Sequence, residues 1–137
     1  MTDLAGFSEC VACLLIADGK VLAEQRRLSK TVAPGAIAIP VGHIEAGEEP
    51  EDALRREMRE ELAIVPRDPR YVCTLLHRSA EFRRLHYFAV TEWEGTITNS
   101  EAAALLWLPL IAPERLDLDV DRVAVAEYRR VCELASR

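Results

Sequence analysis

Several class-defining features are missing from this chain. Cys10 and Cys13 have C-x-x-C spacing, but no second such pair and no Cys-His cluster follows, which argues against a zinc module. The stretch 10–16 has strand-like composition, and an odd separation along a strand sends two side chains to opposite faces. With Cys73 and Cys132, all four cysteines read as small buried hydrophobes rather than a redox or metal pair. Positive charge is not in surplus. Lys and Arg number 17 against 23 Asp and Glu, a net charge of -6, so there is no global footprint for long nucleic acid or an anionic membrane. Apolar runs such as 102–111 are far too short to span a bilayer. Residues 1–10 carry acids rather than lysines and do not resemble a secretory leader, so the cytoplasm is the expected location. Repeats, low-complexity tracts and Ser/Gly-rich linkers are absent, and 137 residues make one domain, 1–137, the expected organisation.

What is present reads as alternating strands and helices. Runs 10–16 and 21–25 are β-tolerant and joined at Asp18-Gly19, a strong hairpin signal. A loop at 28–35 leads to a short strand at 36–39, stopped by Pro40. Residues 42–49 read as loop, with Gly42 and Gly47 free to adopt unusual backbone geometry. Pro50 suits a first helical turn, and the acids beside it suit the positive end of the dipole. The helix then runs over 51–62. A second antiparallel pair is expected at 71–77 and 82–92, a loop at 93–100, and a short strand at 105–108. A final helix at 119–134 would bury Val123, Ala126, Val131 and Leu134. The order β-β-β-α-β-β-β-α implies an α/β or α+β sandwich, a mixed sheet with helices packed over it.

The helix at 51–62 carries the chemistry. Leu54, Met58 and Leu62 form one stripe at i, i+4, i+8, ready to bury against the sheet. Glu57, Glu60 and Glu61 fall within about 100° of one another on a neighbouring face. Such crowding weakens a helix by a few tenths of a kcal/mol per pair. A bare E-x-x-E-E is commonly a solvated face, but Mg²⁺ or Mn²⁺ asks for just such hard oxygens, with water and substrate phosphates completing the octahedron.

The surrounding spacing decides between these readings. Gly42 is followed after five residues by Glu48, and after seven more by Arg56-Glu57-Met58-Arg59-Glu60-Glu61-Leu62-Ala63-Ile64. This resembles the Nudix box, residues 42–64 here, the signature of the Nudix hydrolase (MutT-like) superfamily, G-x5-E-x7-R-E-U-x-E-E-x-G-U with U apolar. Ala63 departs, standing where the family has glycine. If the left-handed geometry is kept, alanine costs on the order of 1 kcal/mol; otherwise the helix runs on and the turn changes.

The resemblance implies a Nudix-type α/β/α sandwich, with a mixed sheet, a loop-helix-loop and a C-terminal helix. It implies a Mg²⁺-dependent (or Mn²⁺-dependent) pyrophosphohydrolase cleaving a nucleoside diphosphate linked to another group. MutT-like action on nucleoside triphosphates leads. The alternatives are a nucleotide sugar, ADP-ribose or a dinucleoside polyphosphate, or a non-catalytic nucleotide-binding module. By position, Glu57 and Glu61 would hold the main cation, and Glu60 would serve a second cation or activate water. The main-chain carbonyl of Val41 and, from a later loop, Glu101 would add ligands. Glu48 would pair with Arg56 and hold the loop to the helix. Phosphates need cations: Arg26, Arg27 and Lys30 flank the loop before the box, Arg83, Arg84 and His86 lie on the strand after it, and His43 directly follows Gly42. No aromatic lies in 36–39, so Phe82, Tyr87 and Phe88 are the nearest candidates for base stacking, although strand aromatics more often belong to a core. The expected partner is a small nucleotide. A homodimer would be common at this size, but nothing marks an interface.

Overall fold

The computed structural model describes residues 6–31 and 33–135, and the remainder of the stretch 1–10, residue 32 of the loop 28–35 and the last two positions lie outside it. Ten residues at Ser8–Ala17 (β1) form the central strand. The hairpin at Asp18-Gly19 forms as expected, both residues having positive φ, and returns the chain as β2, Lys20–Gln25. Then come β3 (Ile37–Ala38), β4 (Val41–His43) and α1 (Pro50–Leu62). Next are β5 (Val65–Arg67), β6 (Arg70–Arg78), β7 (Phe82–Val90), β8 (Glu92–Glu94), β9 (Ala104–Pro109) and α2 (Asp119–Ala135).

The sheet is mixed. Its main path is β3-β2-β1-β7-β6, with β4 on β1 and β9 on β2. β1 runs parallel to β7, Ser8 opposite Arg83 through Leu15 opposite Val90, while its other edge meets β4 and β2 antiparallel. Strand alternation divides the core in two. Cys10, Ala12, Leu14, Ala23, Leu85 and Tyr87 pack on the α2 side with Ala124 and Val125. Val11, Cys13, Leu15, Leu22, Phe88 and Val90 pack on the α1 side with Leu54, Met58 and Leu62. The expected α/β/α sandwich is therefore the observed one. Cys10 and Cys13 are buried on opposite faces, as their spacing requires, but the expectation of four buried cysteines fails at Cys73, which is half-buried, and at Cys132, which is exposed.

Four local expectations are corrected. The box begins in a strand rather than a loop, because Val41–His43 pairs with Cys10–Ala12. The expected strand 82–92 breaks at Thr91, after which Glu92–Glu94 swings away to pair with β5. That pairing also puts structure into part of the expected loop 93–100. Finally, the buried stripe of α2 is not Val123, Ala126, Val131 and Leu134, all of which are exposed. It is Asp121, Ala124 and Val125, with Tyr128 packed alongside. The stripe was displaced because a core carboxylate satisfied by a hydrogen bond defeats a search for apolar periodicity alone.

Among the described residues no helix is long and apolar enough to cross a membrane.

Candidate active site

The box folds around one guanidinium. Arg56 Nε donates to Glu48 Oε2 at 2.8 Å and Nη2 to Glu48 Oε1 at 3.0 Å. Nη2 also donates to the His43 carbonyl at 2.8 Å, and Nη1 to Glu57 Oε1 at 2.8 Å. Glu60 Oε2 lies 3.5 Å from the same nitrogen. Glu48 closes its own loop by accepting the Glu45 N–H at 2.8 Å. The hydrogen bonds from Arg56 hold the Glu48 carboxyl below the usual carboxylate range and, first through Glu48, push Arg56 above the usual guanidinium range. Loop 43–48, β4 and α1 are thereby locked into one unit by charge-assisted bonds.

Gly42 allows the lock to close. A Cβ at this position would run into the Glu57 side chain, so β4 and α1 approach to a distance that only glycine permits. At the other end of α1, Ala63 takes the left-handed conformation, φ 59° and ψ 33°, and its N–H bonds to Arg59 O at 3.1 Å. The family's glycine geometry is thus kept with alanine in place, and the helix does not run on.

The carboxylates meet at the C-terminal half of α1. Glu57 and Glu61 are one turn apart, and Glu60 stands at the rim with its side chain 54% exposed. Glu61 is buried, and its Oε2 has no hydrogen-bond partner. Burial first, then the charges of Glu24, Glu57 and Glu101, push its carboxyl up to about 9. Glu101 reaches this group on a loop pinned to α1, Thr98 N to Leu62 O at 2.8 Å and Ser100 N to Glu61 O at 3.1 Å.

These residues line one cleft of about 420 Å³, within the range of small-molecule sites. Its walls include Val41, Gly42, His43, Arg56, Glu57, Glu60, Glu61 and Glu101, together with Arg26, Arg27, Lys30 and Arg83. The structure therefore brings together most of the residues singled out in the sequence; Glu48, Arg84 and His86 are not in this lining, and Glu48 acts behind it through Arg56. Alternation along β7 turns Arg84 away from its neighbour Arg83, and it pairs with Glu9 at 3.0 Å above the Phe7 ring. Arg83 lines the cleft instead. Arg27 lines it while its Nε donates to the Glu101 carbonyl at 2.7 Å, bracing the acidic loop. His43 is held at the rim by Glu81, Nε2 to Oε1 2.8 Å. That bond, followed by one from Ser8, pushes Glu81 down to about 2. His86 is taken up between Glu9 and Thr74.

Among the described residues no aromatic side chain lines this cleft. Tyr87 and Phe88 are core residues, and Phe82 stacks edge-on against Phe7 under Arg78. Sequence inspection missed Glu24, which lies inside an otherwise apolar strand yet lines the cleft beside the box carboxylates. No local pattern signals it.

Among the described residues no three acidic, His or Cys side chains are already converged as a cation cage. The residues nevertheless fit a hard divalent cation. An orphaned buried carboxylate oxygen, a second carboxylate seated against a glycine, and the like charges gathered around Glu61 all call for a cation.

Comparison with known proteins agrees with this geometry. A family model described as the NUDIX domain matches residues 7–127. No curated protein sequence matches the chain significantly. Among solved structures, a MutT NUDIX hydrolase from Burkholderia pseudomallei superposes with a TM-score of 0.78 at 23% identity, over 88% of this chain and 96% of that one. The ORF135 protein of E. coli gives 0.78 at 25% identity, covering 95% of each chain. The NUDIX domain of Shewanella oneidensis NrtR, complexed with ADP ribose, gives 0.73 at 20% identity over 96% and 94%.

Proposed function

The chain belongs to the NUDIX family, and from that premise we propose that it is a Mg²⁺- or Mn²⁺-dependent pyrophosphohydrolase of nucleoside triphosphates. Its reaction class is hydrolysis of phosphoanhydride-containing substrates. One observation carries the finer reading: α1 carboxylates and the cations Arg26, Arg27, Lys30 and Arg83 share a single compact cleft. A polyphosphate needs both, hard oxygens for a divalent ion and guanidinium or ammonium groups for its own oxygens.

In this reading Glu57 and Glu61 hold the cation, joined by Glu101 and the Val41 carbonyl. Bound there, the cation supplies a lowered pKa for attacking water and neutralises charge on the phosphoryl oxygens. Arg56 keeps Glu57 on station, and Glu48 keeps Arg56 in its rotamer. Glu60, the most exposed of the three α1 acids, accepts the proton of the attacking water on a carboxylate oxygen. The water oxygen bonds to phosphorus as the anhydride P–O bond breaks, giving nucleoside monophosphate and pyrophosphate. Arg26, Arg27, Lys30 and Arg83 orient the substrate phosphates, with His43 at the rim. A non-catalytic module is disfavoured because all four box glutamates are present, and Arg56 links three of them, Glu48, Glu57 and Glu60.

A substrate panel with Mg²⁺ or Mn²⁺ tests this reading. Nucleoside triphosphates, nucleotide sugars, ADP-ribose and dinucleoside polyphosphates would be compared by kcat/KM. Triphosphates turned over fastest, with pyrophosphate released, support the proposal. ADP-ribose, which the NrtR domain holds in its complex, would replace triphosphates as the substrate if it were preferred.

A further inference from the structure

Glu24 is a buried acid with no place in the α1 signature. Alternation along β2 sends Val21 and Ala23 to the α2 side and Leu22 to the α1 side. Glu24 follows Leu22 to that same side. Where a further apolar residue would be expected, the C-terminal half of α1 offers Glu57 and Glu61 in the same cleft.

The position is fixed by backbone on both flanks. Glu24 is paired in register with Ala38 on β3 and Leu105 on β9. The loop carrying Glu101 is tied to the same strand end, Ala103 N to Gln25 O at 2.9 Å, and to α1 through Ser100 N to Glu61 O at 3.1 Å. Three rigid attachments thus bring Glu24, Glu61 and Glu101 to one wall. Glu24 is 8% exposed and Glu61 7%. Glu61 Oε2 is buried without a hydrogen-bond partner, and Glu24 is the foremost of the charges that act on Glu61. Arg26 and Lys30 act on Glu24 from the cleft, but burial and the acids outweigh them and leave its carboxyl raised to about 6. A side chain there for packing alone would be apolar. A carboxylate facing an orphaned carboxylate suits a shared hard cation.

We propose that Glu24 is a further carboxylate ligand of the divalent-cation site, supplied by β2 from outside the box. This rests on the reading of α1 as the cation-binding helix, and it extends the ligand set to four chain elements.

The test is Mn²⁺ binding to the metal-free full chain without substrate, by calorimetry and by electron paramagnetic resonance of free Mn²⁺. Wild type, Glu24→Gln, Glu24→Asp and Glu57→Gln are compared. Glu24→Gln should bind Mn²⁺ roughly tenfold or more weakly, or lose one equivalent. Its metal-free melting temperature should equal or exceed wild type, since one like charge has gone, and the rise on adding Mn²⁺ should shrink. Wild-type Mn²⁺ affinity and stoichiometry in Glu24→Gln, with weakened binding in Glu57→Gln, would overturn the inference while leaving the α1 reading intact. Equal binding by wild type and Glu57→Gln would remove that reading and the inference together. Should Glu24→Gln not fold, Glu24→Asp, with its oxygens withdrawn by one methylene, decides: unchanged affinity overturns the proposal and weakened affinity supports it.

Discussion

Arg56 grips Glu48 through two parallel hydrogen bonds, Nε to Oε2 at 2.8 Å and Nη2 to Oε1 at 3.0 Å. The same guanidinium reaches the His43 carbonyl and Glu57 Oε1, so a single side chain sets both the loop 43–48 and the Glu57 carboxylate in the cleft wall. A lysine carries the charge but cannot fork. Arg56→Lys should therefore lower kcat by about 100-fold, the scale at which misplaced groups cost turnover, while circular dichroism stays native. Near-wild-type kcat would show that Arg56 does not position Glu57.

Ala63 sits at φ 59° where its Cβ is disfavoured. Replacing it by glycine relieves that strain, worth about 1 kcal/mol against a smaller entropic loss in the unfolded chain. Ala63→Gly should raise the melting temperature by roughly 1–2 °C and leave kcat unchanged. A fall in melting temperature would mean that the turn has adapted to alanine.

Gly42 packs against the same helix at Glu57. A methyl group there would occupy the space of the Glu57 side chain, forcing Glu57 off Arg56. Gly42→Ala should weaken Mn²⁺ binding and lower turnover together, with a smaller loss of thermal stability. Wild-type Mn²⁺ affinity in this variant would contradict the packing.

The third clamp on the cleft comes from α2. Asp121 accepts from Tyr87 Oη at 2.6 Å and from the Ile39 N–H at 3.0 Å, and Asp117 accepts from the Ile37 N–H at 2.7 Å. Two carboxylates thus take the place of a neighbouring strand along β3, just before the box. Burial pushes Asp121 up to about 6, against an ordinary value of 3.8. The sign follows from the raised folded value. Stability from the protonated form is full below about pH 4 and is lost as pH rises through 6, up to about 3 kcal/mol. Asp121→Asn can still accept the Ile39 N–H on its oxygen and donate an N–H to Tyr87 Oη, so denaturant midpoints should show a flatter dependence between pH 4 and 6.5. Asp121→Ala, which leaves Tyr87 and Ile39 unpaired, should destabilise by about 3 kcal/mol. Parallel pH profiles for Asp121→Asn and wild type would show that Asp121 does not titrate in this range.

The legible parts of the fold were those written in short-range periods. Leu54, Met58 and Leu62 mark the buried face of α1, and Asp18-Gly19 marks the hairpin. The spacing from Gly42 to Ile64 points to the box because every member lies within one short stretch of strand, loop and helix. Long-range pairing was not legible. The parallel match of β1 with β7, the departure of β8 to β5 and the burial of Asp121 against Tyr87 each depend on residues many positions apart. Glu24 escaped notice for that reason: in sequence it is one acid in a strand, and only β9, β3 and α1 together make it part of a wall. Arg84 was misplaced by one residue, because alternation assigns its neighbour Arg83 to the cleft.

The central claim is that α1 of this chain is a cation site for splitting phosphoanhydrides. Pyrophosphate release from nucleoside triphosphates in Mg²⁺, measured side by side for wild type, Glu57→Gln and Glu61→Gln, tests it most directly. The account predicts Mg²⁺-dependent turnover in wild type and loss of about 1,000-fold or more in both variants, each still folded by circular dichroism. Undiminished turnover in both glutamine variants would contradict it.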